Sequence, residues 1–196
     1  MNYVGYWTAL STRPDAKEFI LPKRTEEEFW AEGVEQAKVL QEWIDPEDTV
    51  LDFGCGVGRV LRNIEARERI GVDVSPVYLH EGAKYFIALQ SDGSNIPVKF
   101  GTIDFLYSLM VFQHCNKSDH VGLLREVIWA LKPGGTALIQ FPREGYYHQA
   151  PGLNTYEYEE IEAWAGDCSH TIRPWSLVRY HDGVHKDREW LLELTP

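Results

Sequence analysis

Three glycines at every second position, Gly54, Gly56 and Gly58, follow an apolar run and the acid Asp52 in "LDFGCGVGR" (51–59). Glycines spaced this way let a chain turn tightly and set bare backbone against a ligand, with no Cβ atoms in between. The spacing is G-x-G-x-G. A dinucleotide fold asks for G-x-G-x-x-G, and Leu61 stands where a run beginning at Gly56 needs its third glycine. The G-x-x-x-x-G-K-[ST] loop that grips phosphates does not occur. Two further acids lie downstream, Asp73 and Asp92. Asp73 comes 21 residues after Asp52, at the end of the next apolar run. A carboxylate there can accept from both vicinal hydroxyls of a ribose. His114, in "FQHC" (112–115), is an imidazole suited to taking a proton near neutral pH.

These residues need strands to hold them. "TVLDF" (49–53), "RIGVDV" (69–74), "YFIALQ" (85–90), "IDFLYSLMVF" (103–112) and "TALIQFP" (136–142) read as strands with apolar runs. "WSLVRYH" (175–181) and "REWLLEL" (188–194) read as two more around a turn. Helices are expected over 25–44, 59–67, 76–85, 118–131 and 155–166. Thr25 with Glu28 forms a capping box, and Ser75-Pro76 supplies a cap and first helical position. "KPGG" (132–135) stops the helix before it. Strands alternating with helices predict an α/β fold: a Rossmann-like three-layer αβα sandwich on a mostly parallel seven-stranded sheet. The closeness of the last two strands makes the final one antiparallel. Ligands bind such sheets outside the carboxyl ends of the strands, where strand order reverses. The loop at 54–58 sits there.

The chain has 196 residues and 44% hydrophobic ones, which suits a single domain over 1–196 with a real core. Residues 1–24 form an N-terminal extension and a candidate lid. The formal net charge is -11, which disfavours a nucleic acid partner, since phosphate backbones are gripped by Lys and Arg patches. The cysteines Cys55, Cys115 and Cys168 lie far apart, as in a reducing compartment. "MNYVGYWTAL" lacks the pattern of a signal peptide, and no apolar stretch reaches the roughly 20 residues of a membrane span, so a cytoplasmic protein is expected. His181 and His185 bracket a glycine turn without a companion ligand cluster, so no metal is expected. The oligomeric state is not legible.

The run D-x-G-x-G-x-G at 52–58 resembles the first motif of the class I S-adenosylmethionine-dependent methyltransferases. "IGVDVSP" (70–76), "QSDGSNIPV" (90–98), "FGTIDFLYSLMVFQHC" (100–115) and "LREVIWALKPGGTALIQFP" (124–142) are similar to the family's next segments, in order. The resemblance implies S-adenosylmethionine as cofactor and S-adenosylhomocysteine as product. It implies a binding set of Asp52, Gly54, Cys55, Gly56, Asp73, Val74, Asp92, Gly93, Ser108 and Leu109. Asp73 takes the ribose hydroxyls and Asp92 faces the adenine amino group. Asp52 orients the loop and the cofactor's amino end, and Ser108 and Leu109 lie beside its methionine part. Cys55 is read as a small loop residue. Arg59 is read as a solvated side chain on the first turn after the loop, with the methionine carboxylate as the alternative.

The activity implied is methyl transfer by in-line displacement, with His114 as the candidate base. "NYVGYW" (2–7) and "REGYYHQAPGLNTYEY" (143–158) are aromatic segments suited to covering the site. The [ND]-P-P-[YFW] tetrapeptide of base-amino methylation is absent, and Cys115 follows His114 rather than the Pro that often precedes the reactive Cys of cytosine C5 methylation, so a small-molecule acceptor is favoured. The alternatives are a catalytically silent cofactor-binding partner protein and, less in keeping with the glycine spacing, a nicotinamide-dependent oxidoreductase.

Overall fold

Strand β1 (Thr49–Phe53) is buried at all five positions, as its unbroken apolar run requires. The computed structural model describes residues 2–16, 20, 24–145, 153–166, 168–175 and 188–196. In it β1 lies between β2 (Glu68–Asp73) and β4 (Ile103–Ser108), parallel to both. Parallel strands β3 (Ile87–Gln90) and β5 (Leu131–Pro142) extend the sheet beyond β2 and β4. Strand β7 (Glu189–Thr195) runs antiparallel between β5 and β6 (Ser169–Trp175). The order is β3-β2-β1-β4-β5-β7-β6, so it reverses at β1 and β4. The expected α/β sheet with an antiparallel last strand is the one observed.

Side chains alternate across each strand. Leu51 and Phe53 join one core layer with Leu123 and Val127 of α4 (His120–Ala130) and Ile161 of α5 (Tyr158–Ala165). Val50, Phe105 and Tyr107 join the other with Ala37 and Leu40 of α2 (Glu26–Leu40) and Leu79 of α3 (Pro76–Gly82). Both helix starts read from sequence are built as expected. Thr25 Oγ1 accepts from the Glu28 N–H at 3.2 Å while Glu28 Oε2 accepts from the Thr25 N–H at 2.8 Å. Ser75 Oγ accepts from the Tyr78 N–H, and Pro76 opens α3. Ahead of them α1 (Tyr3–Leu10) is a further helix, started by Asn2, whose side chain accepts from the Gly5 N–H at 3.0 Å.

Several sequence boundaries are corrected. Residues 59–67 are not a helix but a turn with one 3-10 segment at Leu61–Asn63. Asn63 Nδ2 donates to the Arg59 carbonyl at 2.9 Å, a local bond that competes with helix propagation. Val60, Leu61 and Ile64 sink into the layer beneath α2. Strand β4 stops at Ser108 rather than 112, and Phe112–His114 forms a 3-10 turn. The helix α2 ends at Leu40, followed by a 3-10 turn at Gln41–Trp43. Strand β6 lies at Ser169–Trp175, a segment not read as a strand from sequence; the strand expected over 175–181 lies outside the described residues beyond Trp175. Strand β6 is a half-exposed edge strand carrying Pro174, which reads poorly as a strand in sequence. His181 and His185 also lie outside the described residues.

Helix α2 crosses the turn after the glycine loop at a single tight point. A Cβ on Gly33 would lie 2.3 Å from the Arg59 carbonyl oxygen, which is backbone and cannot yield cheaply. Gly33→Ala should therefore destabilise the protein by about 1–3 kcal/mol, the usual cost of overpacking, seen as a lower denaturant midpoint with an unchanged slope.

Candidate active site

The register of β1 on β4 sets Asp52 beside Tyr107, so both side chains enter the same layer at the carboxyl end of the sheet. Arg59 reaches this floor from the turn after the glycine loop. It is only 7% exposed, so the solvated reading from sequence is overturned. Its burial follows from α2 lying across it: Nη2 donates to Gln36 Oε1 at 2.6 Å, and the guanidinium stacks 5.4 Å from the Phe29 ring centre. Among the described residues Nη1 has no hydrogen-bond partner. Burial pushes the Asp52 carboxyl up to about 7, with the nearby Tyr107 hydroxyl and Arg59 pulling down and Asp73 adding to the rise. Burial likewise lowers the Arg59 guanidinium, against the attraction of Glu32 and Asp52.

The glycine loop has left-handed backbone at Gly54, Gly56 and Gly58, with φ of +84°, +53° and +75°. They do two kinds of work. A Cβ on Gly54 would strike Val111 at 2.1 Å, so that position serves close packing. A Cβ on Gly56 would meet nothing nearer than Ile20 at 3.9 Å, so its bare side faces open space. The loop is tied to the end of β2 by backbone bonds. Gly54 N–H and Cys55 N–H both donate to the Val72 carbonyl, at 2.7 and 3.0 Å. Gly56 N–H donates to Asp73 Oδ2 at 2.8 Å, while Ser75 N–H donates to Asp73 Oδ1 at 2.8 Å. Burial raises the Asp73 carboxyl, and the Ser75, Gly56 and Val74 amides oppose the rise. The Cys55 thiol is pushed well up by burial, in keeping with a small packing residue rather than a nucleophile.

These groups line one cavity of about 1010 Å³, counting its open mouth. Of the residues picked from sequence, Asp52, Gly54, Cys55, Gly56, Asp73, Val74, Gly93, Leu109 and His114 line it. Asp92 and Ser108 do not. Asp92 is exposed, and its Oδ1 accepts from the Ser94 N–H and Oγ, both at 2.8 Å, as the acid of a local turn. Its neighbours Ser91 and Gly93 face the cavity instead. Ser108 is fully buried and donates to the Phe53 carbonyl at 2.8 Å, stitching β4 to β1. Tyr107 and Tyr78, which sequence reasoning passed over, also line the cavity, and the Tyr78 hydroxyl too lacks a partner. Strand alternation from Phe105 would have placed Tyr107 with Asp52 once the register was known.

Past β4 the chain takes a strained step at Met110, a non-glycine residue with φ of +61°. Its N–H donates to the buried Gln140 Oε1 at 3.1 Å. The following turn sets His114 on the cavity wall, 4.9 Å between ring centres from Trp7 of α1. Gln113 Nε2 lies 3.1 Å from His114 Nε2; with the amide donating, the ring proton sits on Nδ1. Helix α1 covers the mouth: Tyr3 and Trp7 line it, and Tyr3 Oη donates to the Gly93 carbonyl at 2.6 Å.

A parallel sheet with a backbone cradle and a carboxylate at its switch point defines a nucleotide-cofactor domain. Residues 50–135 match the family model described as a methyltransferase domain. The malonyl-[acyl-carrier protein] O-methyltransferase of Dechloromonas aromatica is 28% identical over 104 residues, 51% of this chain and 38% of that protein. The trans-aconitate 2-methyltransferase of Deinococcus radiodurans is 30% identical over 126 residues, 62% of this chain and 48% of that protein. The chain thus spans less than half the length of these curated relatives. The solved structure of the PH0226 protein from Pyrococcus horikoshii shares the fold with a TM-score of 0.71 at 17% identity, covering 91% of this chain and 97% of that one. The chain carries a methyltransferase domain over residues 50–135, on the fold of solved S-adenosylmethionine-dependent methyltransferases. The residues present fit that family's cofactor. A carboxylate stands at the end of β2, bare backbone stands at Gly56, and a buried guanidinium with an unpartnered Nη1 lies beside a carboxyl on the floor.

The raised Asp52 carboxyl has a consequence for stability. Folding holds its proton more tightly than the unfolded chain does, so this group's contribution falls as pH rises from the ordinary carboxylate range towards 7, and levels off above. Asp52→Asn should raise the thermal midpoint of the ligand-free protein at pH 8, with the gain shrinking steadily towards pH 4.

Proposed function

We propose that this protein transfers the methyl group of S-adenosylmethionine to a small-molecule acceptor. The observation that supports it most is the unpartnered Arg59 Nη1 on the cavity floor, in one cavity with Asp73. A buried donor left unmade costs stability unless a ligand completes it. Arg59 then receives the methionine carboxylate, and Asp52 and the loop carbonyls face the ammonium. Asp73, already fixed by two amides, keeps lone pairs for the ribose hydroxyls. The adenine lies towards Ser91 and Gly93, with Asp92 outside as a turn residue. Once bound, the cofactor supplies an electrophilic methyl on a sulfonium, reactive without further activation.

The chain's own part is placement and the exclusion of water. Leu109, Met110 and His114 line the end of the cavity beyond β4, and Trp7 and Tyr3 of α1 close over it as a lid. His114 takes the acceptor's proton when the acceptor is a hydroxyl, and Gln113 must first release Nε2. An acceptor that is already anionic, or an amine already neutral, needs no such step. The net charge of -11 favours a small molecule over a nucleic acid. Cys55, Cys115 and Cys168 are all free, which suits a reducing compartment and a cytoplasmic location.

Two measurements test this. Calorimetry should show S-adenosylhomocysteine binding in the micromolar range or tighter, and a labelled-methyl screen over metabolite extracts should yield a labelled small product. Binding without any product in that screen would make the protein a silent cofactor binder, and label in RNA alone would replace the acceptor class. Arg59→Met should weaken S-adenosylhomocysteine by about 10- to 100-fold, the worth of a charge-assisted bond. The same variant should bind 5′-methylthioadenosine, which lacks the amino acid, as the unaltered protein does. Equal losses for both ligands would remove Arg59 from the carboxylate.

A further inference from the structure

The turn that carries His114 is held by residues outside the cavity. Three of its carbonyls are taken from one short segment. Tyr156 Oη donates to the Phe112 carbonyl at 2.8 Å. Asn154 N–H donates to the Gln113 carbonyl at 2.8 Å, and Asn154 Nδ2 donates to the Cys115 carbonyl at 2.7 Å. A 3-10 turn supplies few bonds of its own, so donors arriving from another segment decide where it sits. Here the His114 N–H to Val111 and the Cys115 N–H to Phe112 close it internally, with the Cys115 thiol also reaching the Val111 carbonyl.

The segment is itself firmly placed. Tyr156 bridges to Arg143 beside the end of β5, and Trp190 Nε1 of β7 donates to its carbonyl at 3.1 Å. Its ring is fully buried among Phe112, Phe141, His120 and Trp164. His120 packs against it: Nε2 lies 2.9 Å from Tyr156 Oη, and Nδ1 lies 2.8 Å from the Asn116 carbonyl. Neither Asn154 nor Tyr156 lines the cavity.

We infer that Asn154 and Tyr156 are positioning residues that set His114 at the methyl-transfer end of the cavity. The chain after β5 thereby controls the geometry of the acceptor side, while the cofactor cradle is built separately from β1 and β2. This rests on the methyltransferase reading for its consequence in turnover, but the placement of His114 is measurable without any acceptor.

The test is nitrogen-detected imidazole spectroscopy of the full chain, with the His114 ring assigned by His114→Gln, on Asn154→Asp and Tyr156→Phe. Tyr156→Phe keeps the buried ring and its packing, and Asn154→Asp replaces one half-buried amide with a carboxyl of the same shape; an unchanged thermal midpoint checks that each variant keeps the fold. The His114 ring signals and the Trp7 indole signal should shift in both variants, while S-adenosylhomocysteine affinity stays unchanged. With an acceptor in hand, turnover should fall with little change in KM for the cofactor. Unmoved His114 and Trp7 signals in both variants would overturn the inference. Failure of the unaltered protein to bind S-adenosylhomocysteine would instead sink the cofactor reading and leave this comparison standing.

Discussion

The bond from the Gly56 N–H to the Asp73 carboxylate, 2.8 Å long, joins the two halves of the site. It fastens the loop after β1 to the end of β2 and fixes one oxygen of the acid that would meet a ribose. Without it the bare backbone at Gly56 and the carboxylate at Asp73 would be separate loop features. With it they form one rigid corner at the strand-order reversal, and the remaining groups of the cavity are placed relative to that corner. The Val72 carbonyl, accepting from both Gly54 and Cys55, repeats the tie one residue earlier.

Around that corner the fold accepts local costs. The Arg59 guanidinium is buried with an unmade hydrogen bond, and the Asp52 carboxyl is held far above its usual range. Met110 occupies left-handed backbone with a side chain that does not favour it. Each of these is destabilising in isolation, by roughly 1–3 kcal/mol. They share one cavity. Concentrated strain of this kind marks a ligand site better than any single residue does.

Much of this was legible in the chain itself. Buried parallel strands read as unbroken apolar runs, so β1 and β2 were evident, and the Thr25 and Ser75 caps announce their helices by chemistry alone. What was hidden depended on contacts between distant segments. Arg59 looks like a surface residue until α2 is laid over it, with Gly33 at the crossing. Residues 59–67 carry helix-forming residues, yet Asn63 and the layer beneath α2 leave them only a turn. Strand β6 has the composition of a loop because an edge strand tolerates Pro174 and polar side chains. In "SDG" the acid is the chemically attractive residue, but the turn points Asp92 outward and leaves Ser91 and Gly93 facing in.

The central claim is that this cavity holds an adenosine joined to an amino acid, in one orientation. A crystal structure of the protein with S-adenosylhomocysteine bound measures it directly. The ribose hydroxyls are expected on Asp73, the carboxylate on Arg59 Nη1 and the sulfur turned towards Leu109 and His114. Ligand density elsewhere, or an amino acid end directed away from Arg59, would contradict it.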